Sequence, residues 1–412
     1  MKLLAGIAIM AWTLPVFGNS LATPPDLPPT ASVRQWIEQD PAVQEARTAQ
    51  RAAGHTAAMI AASPNEWTAS LAAQRRSFQG GGPTSNEWHV QLERPIRING
   101  KAGLDQQLGE VERVIAQARV GEAIQESARA LLDLWIDGLT ALQAQKLLKE
   151  QETFAQANLR AVEKRKKAGD ASALDISVAA TDFADAQRQA NTAASTLEKV
   201  RAKLRIRYPG AQLPAKLLSD PIPLSDMESQ WQERVLEAAD PLHIAQAQLH
   251  KAKLTASRAS ADRVPDPTVG VFAASEAFRN ERIVGISISI PFGGTYRNER
   301  MRQSLQEVEV ARAAVGRQRR DLQSGVAETY ANATGNFARW QLAKQAAAAT
   351  AESARLIQRA YSLGEADMQS LLLVRRQFLD ASRAALEARA EALRANYRLL
   401  IDAHQIWDLA PE

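Results

Sequence analysis

The chain has 412 residues, of which 45% are hydrophobic but only 5% aromatic, a usage typical of long packed helices rather than of domains with aromatic-rich cores. Its net charge of +4 comes from 50 basic and 46 acidic residues interleaved along the chain, which favours solvated helix faces over a nucleic-acid surface. Because cysteine is absent, the sequence excludes disulfides, thiolate metal sites and a lipid-acceptor cysteine.

The N-terminus has the pattern of a secretory signal peptide. Lys2 precedes an apolar run from Leu3 to Phe17, and small residues follow up to Ala22. A run of about 15 residues is too short to span a membrane, which takes about 20. We therefore predict a signal peptide over residues 1–22, and a mature, exported chain without a transmembrane helix.

A first repeat unit is predicted over residues 23–207. It opens with a proline-rich, extended leader over residues 23–30. A short helix then starts at Asp40 and Pro41, which are favoured residues for the N-cap and the first helical position.

A strand pair is predicted over residues 66–95, where apolar and polar residues alternate. A small number of short strands in an otherwise helical chain would form a sheet with unpaired edges if the domain were soluble. Trp67 and Trp88 stand near strand ends, where aromatic residues lie at a membrane interface. We therefore interpret the pair as part of a porin-like wall that is apolar outside and polar inside.

A very long helical hairpin completes the unit. Helix signal runs almost unbroken from residue 102 to Lys167, turns at Gly169 and returns to residue 207. At 1.5 Å per residue the first arm is about 100 Å long, which is the geometry of a coiled coil, a spacer or a tunnel wall.

The second half of the chain repeats the first. Gly169 and Asp185 correspond to Gly364 and Asp380, each 195 positions later, and a fixed offset of this size indicates duplication. The predicted parts are a connector at 208–239, the second repeat at 240–403 with a helix at 240–263, a strand pair at 268–291 and a helical hairpin at 298–403, and a tail at 404–412. The connector and the tail are expected to meet midway along the helices.

Two local sequences carry a family resemblance. One is ISISIPFGG, from Ile286 to Gly294, where a strand ends at Pro291 and leads into a long helix. The other is YSLGE, from Tyr361 to Glu365, at the turn of the second hairpin. In this order, in an exported and duplicated chain, they resemble the TolC-type outer-membrane efflux factor family over nearly the whole mature chain.

The resemblance implies a mainly α fold with a small β part. Three copies would form a 12-stranded outer-membrane β-barrel continuous with a periplasmic α-helical tunnel. The strand count agrees, since four strands cannot close a barrel alone. The implied protein is a passive exit duct in the outer membrane of a Gram-negative bacterium. Its implied partners are two further copies in a homotrimer, outer-membrane lipid, a periplasmic adaptor (membrane fusion protein) and an inner-membrane RND-type transporter.

The resemblance also places the adaptor contacts and the periplasmic gate at the two hairpin tips. The candidate residues are Gly169, Asp170, Asp175, Gly364, Glu365, Asp367, Ser370 and Leu373. The alternative for both tips is an ordinary glycine C-cap. Some family members narrow the tunnel with aspartates just after the second tip, where this chain has Ser370 and Leu373, whereas Asp175 occupies the corresponding position of the first repeat. We assign gating and partner choice to positions where the repeats differ in this way.

The cargo implied by the resemblance is heavy-metal cations, because the chain length, the missing lipid cysteine and the strand-to-helix junction look most like the cobalt-zinc-cadmium resistance branch. The five histidines are scattered and indicate no metal site. No catalytic or cofactor-binding motif is present, so we predict no enzyme activity and no cofactor.

Three alternatives stay open. An exit duct for drugs or organic compounds, or for type I protein secretion, would have the same fold. A periplasmic coiled-coil adaptor belongs to another class, but adaptors have one hairpin flanked by β-rich domains, so the duplication favours the duct.

Overall fold

The computed structural model describes residues 24–77 and 79–409, so the predicted signal peptide lies outside the described residues. The elements of the first repeat are α1 Thr30–Glu38, α2 Pro41–Ala62, β1 Thr68–Arg76, β2 Ser85–Pro95, α3 Lys101–Lys167 and α4 Ala173–Arg207. Helix α5, Glu228–Ala238, lies in the connector. The elements of the second repeat are α6 Asp240–Ala261, β3 Thr268–Glu276, β4 Glu281–Ser289, α7 Thr295–Leu363 and α8 Met368–Asp402.

Two local features differ from the sequence analysis. Helix α1 was missed, because its burial is provided by residues far along the chain. The start of α6 also differs from that of α2. Asp40 caps α2 by accepting a hydrogen bond from the Ala42 N–H at 2.9 Å. Asp240 instead lies inside the first turn of α6, with its carboxylate packed against Gly121 of α3, where a Cβ would clash with it.

The two predicted strand pairs form one antiparallel sheet in the order β1-β2-β3-β4. The join is between β2 and β3, where Trp88 pairs with Ser275 and Pro95 with Thr268. Strands β1 and β4 are the two edges. Helices α2, α3, α6 and α7 connect to one end of this sheet, and the two β-hairpin turns lie at the other end.

The long helices α3 and α7 run from the sheet to the hairpin tips, each about 100 Å in length. Helix α3 contacts five others: α1, α2 and α4 of its own repeat, and α6 and α8 of the second. Helix α7 contacts α6 and α8, and also the connector helix α5. Within the described residues, none of the helices is both long and apolar enough to cross a membrane.

The largest core lies midway along the helices. Leu131, Trp135 and Leu139 of α3 pack there against α1, the end of α8, the connector and the tail. The leader is fixed at this level by the buried carboxylate of Asp26, which accepts hydrogen bonds from the Tyr397 hydroxyl at 2.8 Å and from the Ser219 N–H at 2.8 Å. The leader, the connector and the tail therefore meet around the middle of the helical bundle.

Candidate membrane-facing sheet and hairpin tips

The sheet segregates its side chains into two faces. Because directly paired residues of antiparallel strands point to the same side, the register assigns each residue to a face. One face is apolar and consists of Ala69, Leu71, Ala73, Trp88, Val90, Leu92, Val269, Val271, Ala273, Val284, Ile286 and Ile288. The other face is mostly polar.

The apolar face is the exposed one. Leu71 is 74% exposed, Val284 83% and Ile286 73%. On β2 the polar-face residues are consistently less exposed than their apolar neighbours, and Glu87 is only 3% exposed. This is the inverse of a soluble hairpin, in which the apolar face is covered.

Arginines and tryptophans mark both margins of the apolar face. Arg75 and Arg282 lie on this side at the turn end, and Arg94 lies at the helix end with its guanidinium 5.8 Å from the Trp67 ring. The structure places Trp67 and Trp88 on the apolar face near opposite margins. The apolar residues span five positions on each strand, about 17 Å at ~3.4 Å per residue. The arginines and tryptophans at the margins extend this stretch toward the ~25 Å lipid-facing band of outer-membrane barrels.

The polar face carries a hydrogen-bonded ladder and an acidic excess. Gln91 donates through Nε2 to Glu93 at 2.7 Å and to the Ser287 hydroxyl at 3.4 Å, joining β2 to β4. Gln74 donates to Glu87 at 2.7 Å. The charged groups of this face are one arginine and four glutamates, a formal charge of −3: Arg76, Glu87, Glu93, Glu276 and Glu281.

At the other end of the helices, the two predicted tips are built alike. Gly169 and Gly364 both have the left-handed backbone that closes a helix, with φ of +85° and +77°. The Asp170 N–H donates to the Arg165 carbonyl, and the Glu365 N–H donates to the Ala360 carbonyl, both at 2.9 Å. Both glycines therefore act as C-cap residues, whatever further role the tips have.

The second helix of each hairpin, α4 or α8, begins with an N-terminal cap made by one serine and one aspartate. The two residues exchange positions between the two hairpins. Ser172 is the N-cap of α4 and Asp175 its third residue, and the two bond reciprocally. At the equivalent positions of α8, Asp367 is the N-cap and accepts from the Ser370 N–H at 2.8 Å. The difference between Asp175 and Ser370 thus has a structural role in the two caps, and the gate at these positions stays a prediction.

These bonds keep both carboxylates charged. The backbone N–H of Ser172, followed by its hydroxyl, lowers the pKa of Asp175, and the backbone N–H of Ser370, followed by its hydroxyl, lowers the pKa of Asp367. Leu373, the last predicted tip residue, is 60% exposed on α8 and takes no part in the cap.

The two helical hairpins are joined by contacts that the sequence did not predict. At the tips, Arg165 of the first hairpin pairs with Asp170 at 3.1 Å and donates to the Tyr361 hydroxyl of the second at 3.5 Å. Further up, Arg375 of α8 donates to Gln151 of α3 at 2.9 Å, and burial lowers its pKa. No sequence motif predicts such pairs, because the partners are about 200 residues apart in the chain.

Among the described residues, no cluster of three histidine, aspartate or glutamate side chains is arranged to hold a metal ion. His89 stacks on Phe272 of the polar face with ring centroids 5.4 Å apart.

The sequence matches no protein-family model, and it matches no curated protein. Solved structures do resemble the fold. A membrane protein from Pseudomonas aeruginosa superimposes with a TM-score of 0.78 at 14% identity, over 93% of this chain and 91% of that one. The outer membrane protein VceC of Vibrio cholerae gives 0.72 at 15% identity, over 90% and 95%. The outer membrane channel CmeC of Campylobacter jejuni gives 0.69 at 12% identity, over 93% and 86%.

At these identities the likeness shows the fold. The predicted fold class, mainly α with a small antiparallel part in the TolC-type arrangement, is confirmed. The chain therefore shares its fold with these solved structures.

The exchanged caps give a test of how the tips are held. Asp175→Ala and Asp367→Ala should each speed amide hydrogen exchange several-fold in the first turn of α4 or α8, because a helix N-terminal N–H loses its acceptor. The double variant Ser172→Asp/Asp175→Ser installs the cap of the second tip in the first and should retain protection. Equal loss in the double variant would contradict this account. Since folding lowers both pKa values, cap stabilisation is complete above the ordinary aspartate pKa of 3.8 and is lost as the pH falls through the lower folded value.

Proposed function

We propose that this protein is an outer-membrane channel that forms the passive exit duct of a tripartite efflux pump. The proposal rests mainly on the sheet, which has an exposed apolar face opposite a mostly polar face and is joined directly to helices about 100 Å long. An apolar exterior and a polar interior are what a barrel wall in lipid requires. The long hairpins then extend the lumen across the periplasm as a tunnel.

The functional unit of the proposal is a homotrimer. A four-stranded sheet leaves the outer edges of β1 and β4 unpaired, and lipid-exposed backbone groups must be paired within the protein. Three copies supply twelve strands, an even number in the range of single outer-membrane barrels.

The internal repeat supports the same assembly. Helix α3 is flanked by helices of both repeats, whereas α7 lacks the neighbours that α2 and α4 would provide from a following repeat. Accordingly, 24 of the 67 residues of α3 are buried but only 7 of the 69 residues of α7. The open side of α7 carries a stripe of small and apolar residues at helical spacing: Ala331, Gly335, Ala338, Leu342, Ala346, Ala349, Ser353 and Leu356. In a ring, α2 and α4 of the next copy would cover it.

In this function the tips face the other pump components. A periplasmic adaptor and an inner-membrane RND-type transporter are the proposed partners, and the transporter supplies the energy. The residues around Gly169 and Gly364 are the proposed adaptor contacts and gate, together with the Arg165–Tyr361 contact between hairpins. The alternative of a coiled-coil adaptor is disfavoured because an adaptor has no use for a sheet with an exposed apolar face.

A lysine scan across one strand tests the membrane face. Ile286→Lys places a charge in the middle of the apolar face and should cost about 2–4 kcal/mol near the bilayer midplane, so that little protein reaches the outer-membrane fraction. Ser289→Lys, three residues further along the same strand on the polar face, should insert normally. The measurement is the amount of folded protein in isolated outer membranes. Equal insertion of the two variants would exclude this orientation of the sheet.

The trimer is tested on α7. Ala338→Asp combined with Leu342→Asp puts two charges on the stripe, where an interface core disfavours them, and should shift detergent-purified protein from trimers to smaller species in native mass spectrometry. Gln341→Asp, on the flank of the same helix, is the matched control and should remain trimeric. A wild-type monomer that is stable without detergent would refute the whole assembly.

We propose heavy-metal cations as the cargo. The support is the resemblance to the cobalt-zinc-cadmium resistance branch, together with the formal charge of −3 on the polar face of each sheet. Three such faces would line the barrel with nine negative charges, which favours cations over anions. Drugs, organic compounds and secreted proteins are the alternative cargoes of the same duct.

The cargo can be tested in a deletion strain complemented with wild-type protein or with the insertion-defective variant Ile286→Lys. We expect deletion to lower tolerance to zinc, cobalt, cadmium or copper, with rescue by the wild type alone. Unchanged metal tolerance together with new sensitivity to dyes or antibiotics would instead assign organic cargo, and would leave the duct itself intact.

A further inference from the structure

The turn between β3 and β4 has an unusual backbone. Ala277, Phe278 and Arg279 all have positive φ, at 45°, 58° and 70°. Left-handed backbone is strained for residues with a Cβ, and none of the three is a glycine, asparagine or aspartate. In the turn between β1 and β2, by contrast, the residues with positive φ include two glycines, Gly80 and Gly81. A strained turn persists only where the surrounding structure holds it.

What holds this turn is a contact with the polar face of the sheet. The Phe278 backbone N–H donates to the Ser85 hydroxyl at 2.9 Å. Ser85 pairs with Arg76, which places its side chain on the polar face, and it is 1% exposed. Next to it, Glu87 is paired with Arg76 at 3.2 Å. The turn therefore folds over the end of the polar face instead of continuing outward along the strands.

An aromatic ring also covers part of the polar face, closer to the helices than this turn. The Phe272 ring lies over Gly285 of the neighbouring strand, where a Cβ would come within 2.5 Å of the ring, and His89 stacks on its other side. The Phe272 ring and the backbone of the Ala277–Arg279 turn therefore lie on the face that the proposed duct turns toward its lumen, with the turn at the outer rim and Phe272 beneath it.

We propose that the Ala277–Arg279 turn is an inward-folded lip that narrows the outer exit of the lumen and limits the size of what can leave. This inference rests on the proposed duct, since only there is the polar face luminal. In the trimer, three copies of Phe278 converge on the channel axis. Ser85 is the residue that keeps each lip folded inward.

The absence of cysteine makes a clean test possible. Phe278→Cys is introduced into the full chain, with Gly82→Cys on the other hairpin turn as the matched control. Intact cells are treated with a bis-maleimide or with a 5 kDa polyethylene glycol maleimide used purely as a bulky label. Efflux of zinc and of ethidium is then measured.

If the lip exists, Phe278→Cys protomers become cross-linked to one another by the bis-maleimide, and the bulky label stops efflux, while labelled Gly82→Cys does neither. Adding Ser85→Ala releases the turn and should lower the cross-linking yield several-fold. External labelling of Phe278→Cys without cross-links and with normal efflux would overturn the lip and leave the duct standing. Failure to label either cysteine from outside would refute the outer-membrane duct, and the lip with it.

Discussion

The exposed apolar face and the two open edges of the four-stranded sheet form the constraint on which the rest of the architecture depends. In water this face would drive aggregation, and in hydrocarbon each unpaired backbone group on β1 or β4 would cost several kcal/mol. A sheet this narrow cannot remove its own edges by curling shut. In the proposed duct, edge pairing between copies and transfer of the apolar face into lipid solve both problems together, so assembly and membrane insertion become coupled events.

This constraint also accounts for the position of the main core, which lies far from the sheet. A protomer that has not yet assembled needs apolar burial that does not depend on lipid or on other copies. The cluster around Trp135 supplies it, because the leader, the connector and the tail all pack there against α3 and α8. Asp26 accepts hydrogen bonds from Tyr397 and Ser219 at this level, so chain segments up to 371 residues apart are joined by one buried carboxylate. The middle of the bundle can thus hold the two hairpins together before any neighbour arrives.

The sequence revealed the features that repeat locally, and it missed those that depend on distant partners. Period-2 alternation around Trp88 and Ile286 predicted the two faces of the sheet, because each strand carries its own pattern. Glycine turns and the offset of 195 residues predicted both hairpins. Helix α1 was missed because its buried residues, Val33 and Ile37, find their partners in the central core. The lip was missed for a related reason, since nothing in the sequence around Phe278 favours left-handed backbone.

The exchanged caps change how the repeats should be compared. Moving the aspartate from the third position of α4 to the N-cap of α8 leaves one carboxylate at each helix N-terminus, so the favourable interaction with the helix dipole is preserved. The charge difference between the tips lies on the other arm of each hairpin. Residues 164–167 are Lys-Arg-Lys-Lys, whereas the equivalent residues 359–362 are Arg-Ala-Tyr-Ser. Both of these arms end in the same glycine turn, so the helix dipole favours basic residues equally at both ends. The dipole therefore does not explain why only the first hairpin has a basic run. In a ring of six hairpins, basic tips would alternate with nearly neutral ones, and this alternation distinguishes the two repeats to any partner that approaches from the periplasm.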